Sequence, residues 1–158
     1  MEQGKFRTKL NRGFKVFTLF LILMSCGDKL EPTIPYARVF LSVSLTNHNE
    51  ITVPGNSLFY PLQSGGLRGL GGIILYNDFG KIRAYDAACT FEKRNSCVVI
   101  PDGAKASGIT QGGTHGECTC CGSRFSFSNG YPKVDNKARL PLMEYKVSND
   151  GTRLFIEH

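Results

Sequence analysis

Beyond its first 26 residues, no window of this 158-residue chain shows a 3.6-residue apolar period. Where a period is visible it is two residues, the spacing of a strand with one face turned inward. Val39, Leu41, Val43 and Leu45 alternate with Phe40, Ser42 and Ser44. Gly72 to Tyr76 and Lys81 to Tyr85 flank Asn77-Asp78-Phe79-Gly80, which predicts a hairpin. Val98-Val99-Ile100 predicts a short buried strand, stopped by Pro101-Asp102-Gly103. Phe125 and Phe127 alternate with Ser126 and Ser128 before Asn129-Gly130. Tyr145 and Val147, then Asn149-Asp150-Gly151, then Leu154 and Ile156 predict a C-terminal hairpin. Eighteen glycines and seven prolines supply turns between these short segments, so the fold class is all-β. No internal repeat is visible. Ser64-Gly65-Gly66 and Gly71-Gly72 read as loops rather than phosphate cradles, because no Lys-Ser or Lys-Thr follows them.

The first 26 residues have a different character. Lys5, Arg7, Lys9, Arg12 and Lys15 precede an almost unbroken apolar run from Val16 to Met24. That run is shorter than the roughly 20 residues a membrane-spanning helix requires. A basic start, a short apolar core and a small residue before the cut describe a secretory signal peptide over 1–25. Its ending, Leu23-Met24-Ser25-Cys26, resembles the lipobox of bacterial lipoproteins, in which Cys26 is lipidated and becomes the new N-terminus. The resemblance implies a protein of the bacterial cell envelope, lipid-anchored to a membrane (outer membrane or facing the periplasm). Residues 26–37 then form a lipid-anchored tether in which Pro32 and Pro35 disfavour helix. Residues 38–158 are long enough for one domain with a modest core.

The charge balance follows from this division. The chain carries a formal +6, of which the five basic residues of the signal region set against Glu2 account for +4. No basic stripe interleaved with aromatics remains, and nucleic acid is not expected as a partner. The membrane is the one partner the sequence implies.

Chemistry concentrates in the thiols. Besides Cys26 the chain has Cys89, Cys97, Cys118, Cys120 and Cys121. Cys118 and Cys121 form a Cys-x-x-Cys knuckle, a common half-site for zinc or iron. Gly122 lets the backbone turn, and Ser123 is placed to donate to a sulfur. Completing four ligands would draw on Cys89, Cys97 or His115.

Several segments together carry a resemblance. They are Ala84-Tyr85-Asp86-Ala87-Ala88-Cys89-Thr90, then Cys118-Thr119-Cys120-Cys121-Gly122-Ser123-Arg124-Phe125, then Gly130, Ala138, Pro141-Leu142, Tyr145 and Val147. In order and spacing they resemble a Rieske domain, over about Gly72 to Ile156. The resemblance implies a small antiparallel β-sandwich or barrel with two loops clasping a [2Fe–2S] cluster. It matches Cys89 and Cys118 to the two thiolate ligands. It also exposes a departure: Phe91 stands at one histidine position and Cys121 at the other. Cys121 can replace a histidine as ligand; Phe91 cannot. Ser123 matches a serine that hydrogen-bonds a cluster sulfide, and Phe125 stands where those members often carry Tyr. Cys120 matches a cysteine that some members pair in a disulfide, with Cys97 as the available partner.

Three arrangements follow. Cys89, Cys97, Cys118 and Cys121 can bind a [2Fe–2S] cluster, which all-thiolate ligation would move toward potentials on the order of −400 mV. The same four can hold structural zinc. Alternatively, Cys97–Cys120 is a disulfide, permitted in an exported protein, and Cys89, Cys118 and Cys121 bind metal with His115 or bind nothing. The functions correspond: a Rieske-like iron–sulfur or metal-binding lipoprotein with an electron-transfer role, or a non-redox structural or binding lipoprotein. For an enzyme, the sequence offers no paired-carboxylate motif and no supported Ser-His-Asp arrangement. His48 and His158 read as surface residues.

Overall fold

The computed structural model describes residues 33–64 and 66–158. The signal peptide and Cys26 lie outside the described residues, as does the first part of the tether. Ten strands form: β1 (Phe40–Ser44), β2 (Ser57–Tyr60), β3 (Ile73–Asp78), β4 (Lys81–Asp86), β5 (Val99–Pro101), β6 (Thr110–Gly112), β7 (His115–Cys118), β8 (Arg124–Ser126), β9 (Glu144–Asn149) and β10 (Arg153–Glu157). One 3-10 turn, Asn49–Thr52, is the only helical element among the described residues. The class is all-β, as expected, and every strand pairing is antiparallel.

Seven strands make one sheet in the order β1-β10-β9-β4-β3-β2-β6, and β5-β7-β8 make a second. The alternation of β3 explains how the core divides. Ile74 and Tyr76 join one apolar cluster with Tyr85, Phe125 and Phe127. Ile73 and Leu75 face the opposite cluster with Leu58, Leu154 and Ile156. Because both faces of β3 are covered, its sequence reads as a continuous apolar run rather than an alternating one. Ile34 is also buried, although it falls in the stretch assigned from sequence to the tether.

The predicted hairpins form with shifted boundaries. Strands β3 and β4 extend to pair Asp78 with Lys81, so the turn shrinks to Phe79-Gly80. Both residues have positive φ, 48° and 101°. That is the handedness a two-residue hairpin loop needs to match strand twist. The Val98-Val99-Ile100 strand appears one residue later, as β5.

The second sheet and the end of β4 position the site. Cys118 ends β7, and the β7–β8 turn carries the knuckle. Asp86 ends β4, and the chain passes through Ala87-Ala88 to Cys89. Val99 N–H donates to Ala87 O (2.7 Å), tying the start of β5 to this exit from β4.

Candidate metal centre

The first loop is organised by a buried carboxylate. Asp86 is fully buried and accepts four hydrogen bonds. They come from Leu70 N–H (2.6 Å), Gly71 N–H (2.8 Å), Ala88 N–H (2.7 Å) and Tyr145 O–H (2.6 Å). A buried carboxylate is tolerated when donors surround it in this way. Gly71 is required here because a Cβ would sit 2.2 Å from Ala88 N. Tyr145 is held as a donor: burial, with the nearby Asp86 charge, pushes its phenol well above the ordinary tyrosine range. Past Asp86, Cys89 N–H donates to Cys97 O (3.0 Å) and Lys93 N–H donates to Cys89 O (2.8 Å). The Thr90 hydroxyl donates to Leu140 O (2.8 Å).

The second loop is a tight turn. Gly122 N–H donates to Cys118 O (3.0 Å), and Cys118 N–H donates to Ser123 O (2.9 Å). Gly122 has φ 71°, a conformation glycine adopts freely. Thr119 N–H reaches Val98 O (2.9 Å), linking this turn to the first loop's return strand.

The two loops bring Cys89, Cys118 and Cys121 together, with ligand atoms all within 4.8 Å of one another. Cys89 and Cys118 are buried, and Cys121 is half-buried. Cys89 Sγ and Cys121 Sγ are 3.6 Å apart. The Cys121 thiol donates to Ser123 Oγ (3.2 Å), which also accepts from Ala138 N–H (3.1 Å). Ser123 thus lies beside a sulfur, but as an acceptor from the Cys121 thiol rather than as the donor expected from sequence. Cys89 and Cys118 titrate as a pair. Hydrogen bonding to Cys89 pulls the Cys118 thiol well below its usual range. The same bond, with burial, pushes Cys89 up.

Cys97 and Cys120 are joined in a disulfide. This corrects both four-thiolate arrangements, in which Cys97 was a ligand. The physical reason lies in the fold. The turn after Cys118 directs Cys120 toward the first loop's return, where Cys97 sits, and directs Cys121 toward Cys89. His115 does not join the thiols. It opens β7, which Cys118 closes, and its Nδ1 hydrogen-bonds the Thr114 hydroxyl (2.9 Å). Phe91 is 52% exposed and brings no donor. Asp86 is the residue whose role sequence reasoning missed. The signal was an acid set between Ala84-Tyr85 and Ala87-Ala88, the uncharged stretch where β4 turns inward.

The donor set can be tested against a Rieske cluster. There, two histidines replace two cysteines on one of the two irons. Cys89 and Cys118 would therefore share one iron, with positions 91 and 121 on the other. Phe91 leaves that second iron one ligand short. The 3.6 Å between Cys89 and Cys121 sulfurs is, moreover, a spacing for ligands of one ion. Ligands on opposite irons of a bridged pair point away from each other and lie farther apart. The residues present do not fit the two-iron cluster.

A scan against protein-family models finds no match, and neither does a search of curated proteins. Solved structures do align. A chain from the complex of reduced oxygenase and oxidized ferredoxin in carbazole 1,9a-dioxygenase is 17% identical, with TM-score 0.48. That alignment covers 75% of this chain and 93% of that one. The ferredoxin of carbazole 1,9a-dioxygenase from Nocardioides aromaticivorans IC177 is 18% identical, with TM-score 0.42, over 77% and 97% of the two chains. Naphthalene 1,2-dioxygenase with indole bound in the active site is 20% identical, with TM-score 0.49, over 79% of this chain and 27% of that one. At these identities and scores the function is argued from the chain's own residues.

Proposed function

We propose that this protein is a lipid-anchored envelope protein whose Rieske-like β domain binds metal through a thiolate site. The observation that carries the reading is the convergence of Cys89, Cys118 and Cys121 from two separate loops. Thiolates are soft donors that select zinc, copper(I) or iron. The disulfide leaves these three as the free thiols among the described residues. Cys26 supplies the anchor in this reading, placing the domain in an oxidising compartment where the disulfide persists.

The full chain purified in detergent is expected to retain metal, and the Cys121→Ser variant to lose it. Elemental analysis of both proteins measures this. Unchanged metal content in the variant would show that the ligand set is wrong. For the anchor, the Cys26→Ala protein is expected to leave the membrane fraction; its continued sedimentation with membranes would remove the lipidation reading.

A second reading draws on the disulfide. Cys97–Cys120 already ties the two loops together without metal. In that case the domain is a structural or binding lipoprotein whose thiols are small buried residues. Metal-free protein whose unfolding is insensitive to chelator selects this reading. A brown protein with a reduced-state EPR signal selects iron–sulfur electron transfer instead.

A further inference from the structure

We propose that Cys89, Cys118 and Cys121 hold one zinc-type ion rather than a two-iron cluster. We further propose that the ion's fourth coordination position stays open toward Phe91, where a small neutral nitrogen base binds. The inference rests on the metal-binding reading above and specifies its coordination.

The spacing supports a single ion. Zinc–sulfur bonds of about 2.3 Å at tetrahedral angles set sulfurs about 3.8 Å apart. The Cys89–Cys121 separation of 3.6 Å is close to that, and the whole trio falls within 4.8 Å. Small side-chain rotations suffice to bring three such sulfurs onto one ion.

Among the described residues, the donor count supports an open position. Cys97 is bound to Cys120, and His115 hydrogen-bonds the Thr114 hydroxyl at the other end of β7. Phe91, at the position where the Rieske pattern has a donor, offers none. Three protein ligands with a fourth position left to water or substrate is the arrangement of catalytic zinc, whereas structural zinc is closed by four. Burial indicates where the opening faces. Cys89 and Cys118 lie inside the core cluster, while Cys121 is half-buried and Phe91 is exposed. The uncovered side of the ion therefore faces the loop tips.

Charge selects the ligand class. Three thiolates on a dication leave one net negative charge, and a fourth thiolate would add another in a largely buried setting, which is costly. A neutral donor adds none. The site accordingly takes water, displaced by a nitrogen base. The Ser123 hydroxyl, now an acceptor from Cys121, can rotate to donate once that thiol gives up its proton to bind metal.

The test is cobalt substitution in the full chain under anaerobic conditions, with imidazole as the probe. The expected result is one cobalt per chain, tetrahedral d–d bands with sulfur-to-cobalt charge transfer, and a shift of the d–d bands on adding imidazole. In the Phe91→His variant the shift should vanish, because the side chain fills the open position. Phe91 is exposed, so this change leaves the core intact. Two irons with two inorganic sulfides per chain in protein purified as made would overturn the single-ion proposal while leaving metal binding standing. A cobalt spectrum indifferent to imidazole would overturn the open position, and an undiminished response in Phe91→His would overturn its placement toward Phe91. Protein that takes up no metal would overturn both the proposal and the reading beneath it.

Discussion

Replacing Asp86 with Ala is expected to destabilise the domain by roughly 3–5 kcal/mol, as measured by urea unfolding of the full chain. The change removes the acceptor of three backbone N–H groups and of the Tyr145 hydroxyl at once. Each buried donor left without a partner costs about 1–3 kcal/mol, and neighbouring losses are not additive. Against a usual total stability of about 5–15 kcal/mol, this brings the domain close to unfolding. The Asp86→Asn variant separates charge from shape. Its amide nitrogen must point either at the Gly71 and Ala88 N–H groups or at the Leu70 N–H group, and every choice sets donor against donor. The loss should therefore be smaller than for Ala but still above about 1 kcal/mol. A shift below that value in both variants would mean that Asp86 does not organise the loop. Metal content should fall in parallel, since the bond from Ala88 N–H sets the chain's path one residue before Cys89.

Removing the disulfide with the Cys97→Ala/Cys120→Ala pair is expected to cost about 3 kcal/mol. That is the unfolded-state entropy released by opening a closed loop of this length, the two cysteines being 23 residues apart in sequence. Reductant should lower the urea midpoint of the unaltered protein and leave that of the double variant unchanged. Peptide mapping after alkylation without reduction should find Cys97 and Cys120 unlabelled. A change under about 1 kcal/mol would show that the bonds from Thr119 N–H to Val98 O and from Cys89 N–H to Cys97 O hold the loops without help. Because the two cysteines tie the first loop's return to the second loop, the double variant should also bind metal more weakly while keeping all three ligands.

Legibility of the fold differed from strand to strand. Strands β1, β9 and β10 were visible in alternation because much of one face of each is exposed. The β3–β4 hairpin was visible from its turn residues, yet the turn proved shorter because ladder pairing through Asp78 and Lys81 outweighs the preference of Asn77 and Asp78 for loops. Strand β2 was not singled out, since all four of its residues are buried and no period shows. Strand β6, Thr110–Gly112, is a short polar edge with no apolar residue to mark it. For the centre, the Cys-x-x-Cys spacing and the turn at Gly122 were legible because they are local.

Local order along the chain determined the all-β class and the Cys-x-x-Cys knuckle. The matching of Cys89 with Cys118 as ligand candidates, and the missing donor at Phe91, came from the resemblance to a Rieske domain. Only the tertiary structure decided between Cys97 as a fourth ligand and Cys97 as a disulfide partner, because both uses satisfy the same spacing. It decided, too, that Cys121 lies beside Cys89, and that Asp86 is a buried hub with four donors. Such choices depend on which groups the two loops bring face to face, and on the cost of leaving a buried charge or thiol without a partner, neither of which is written in sequence separation.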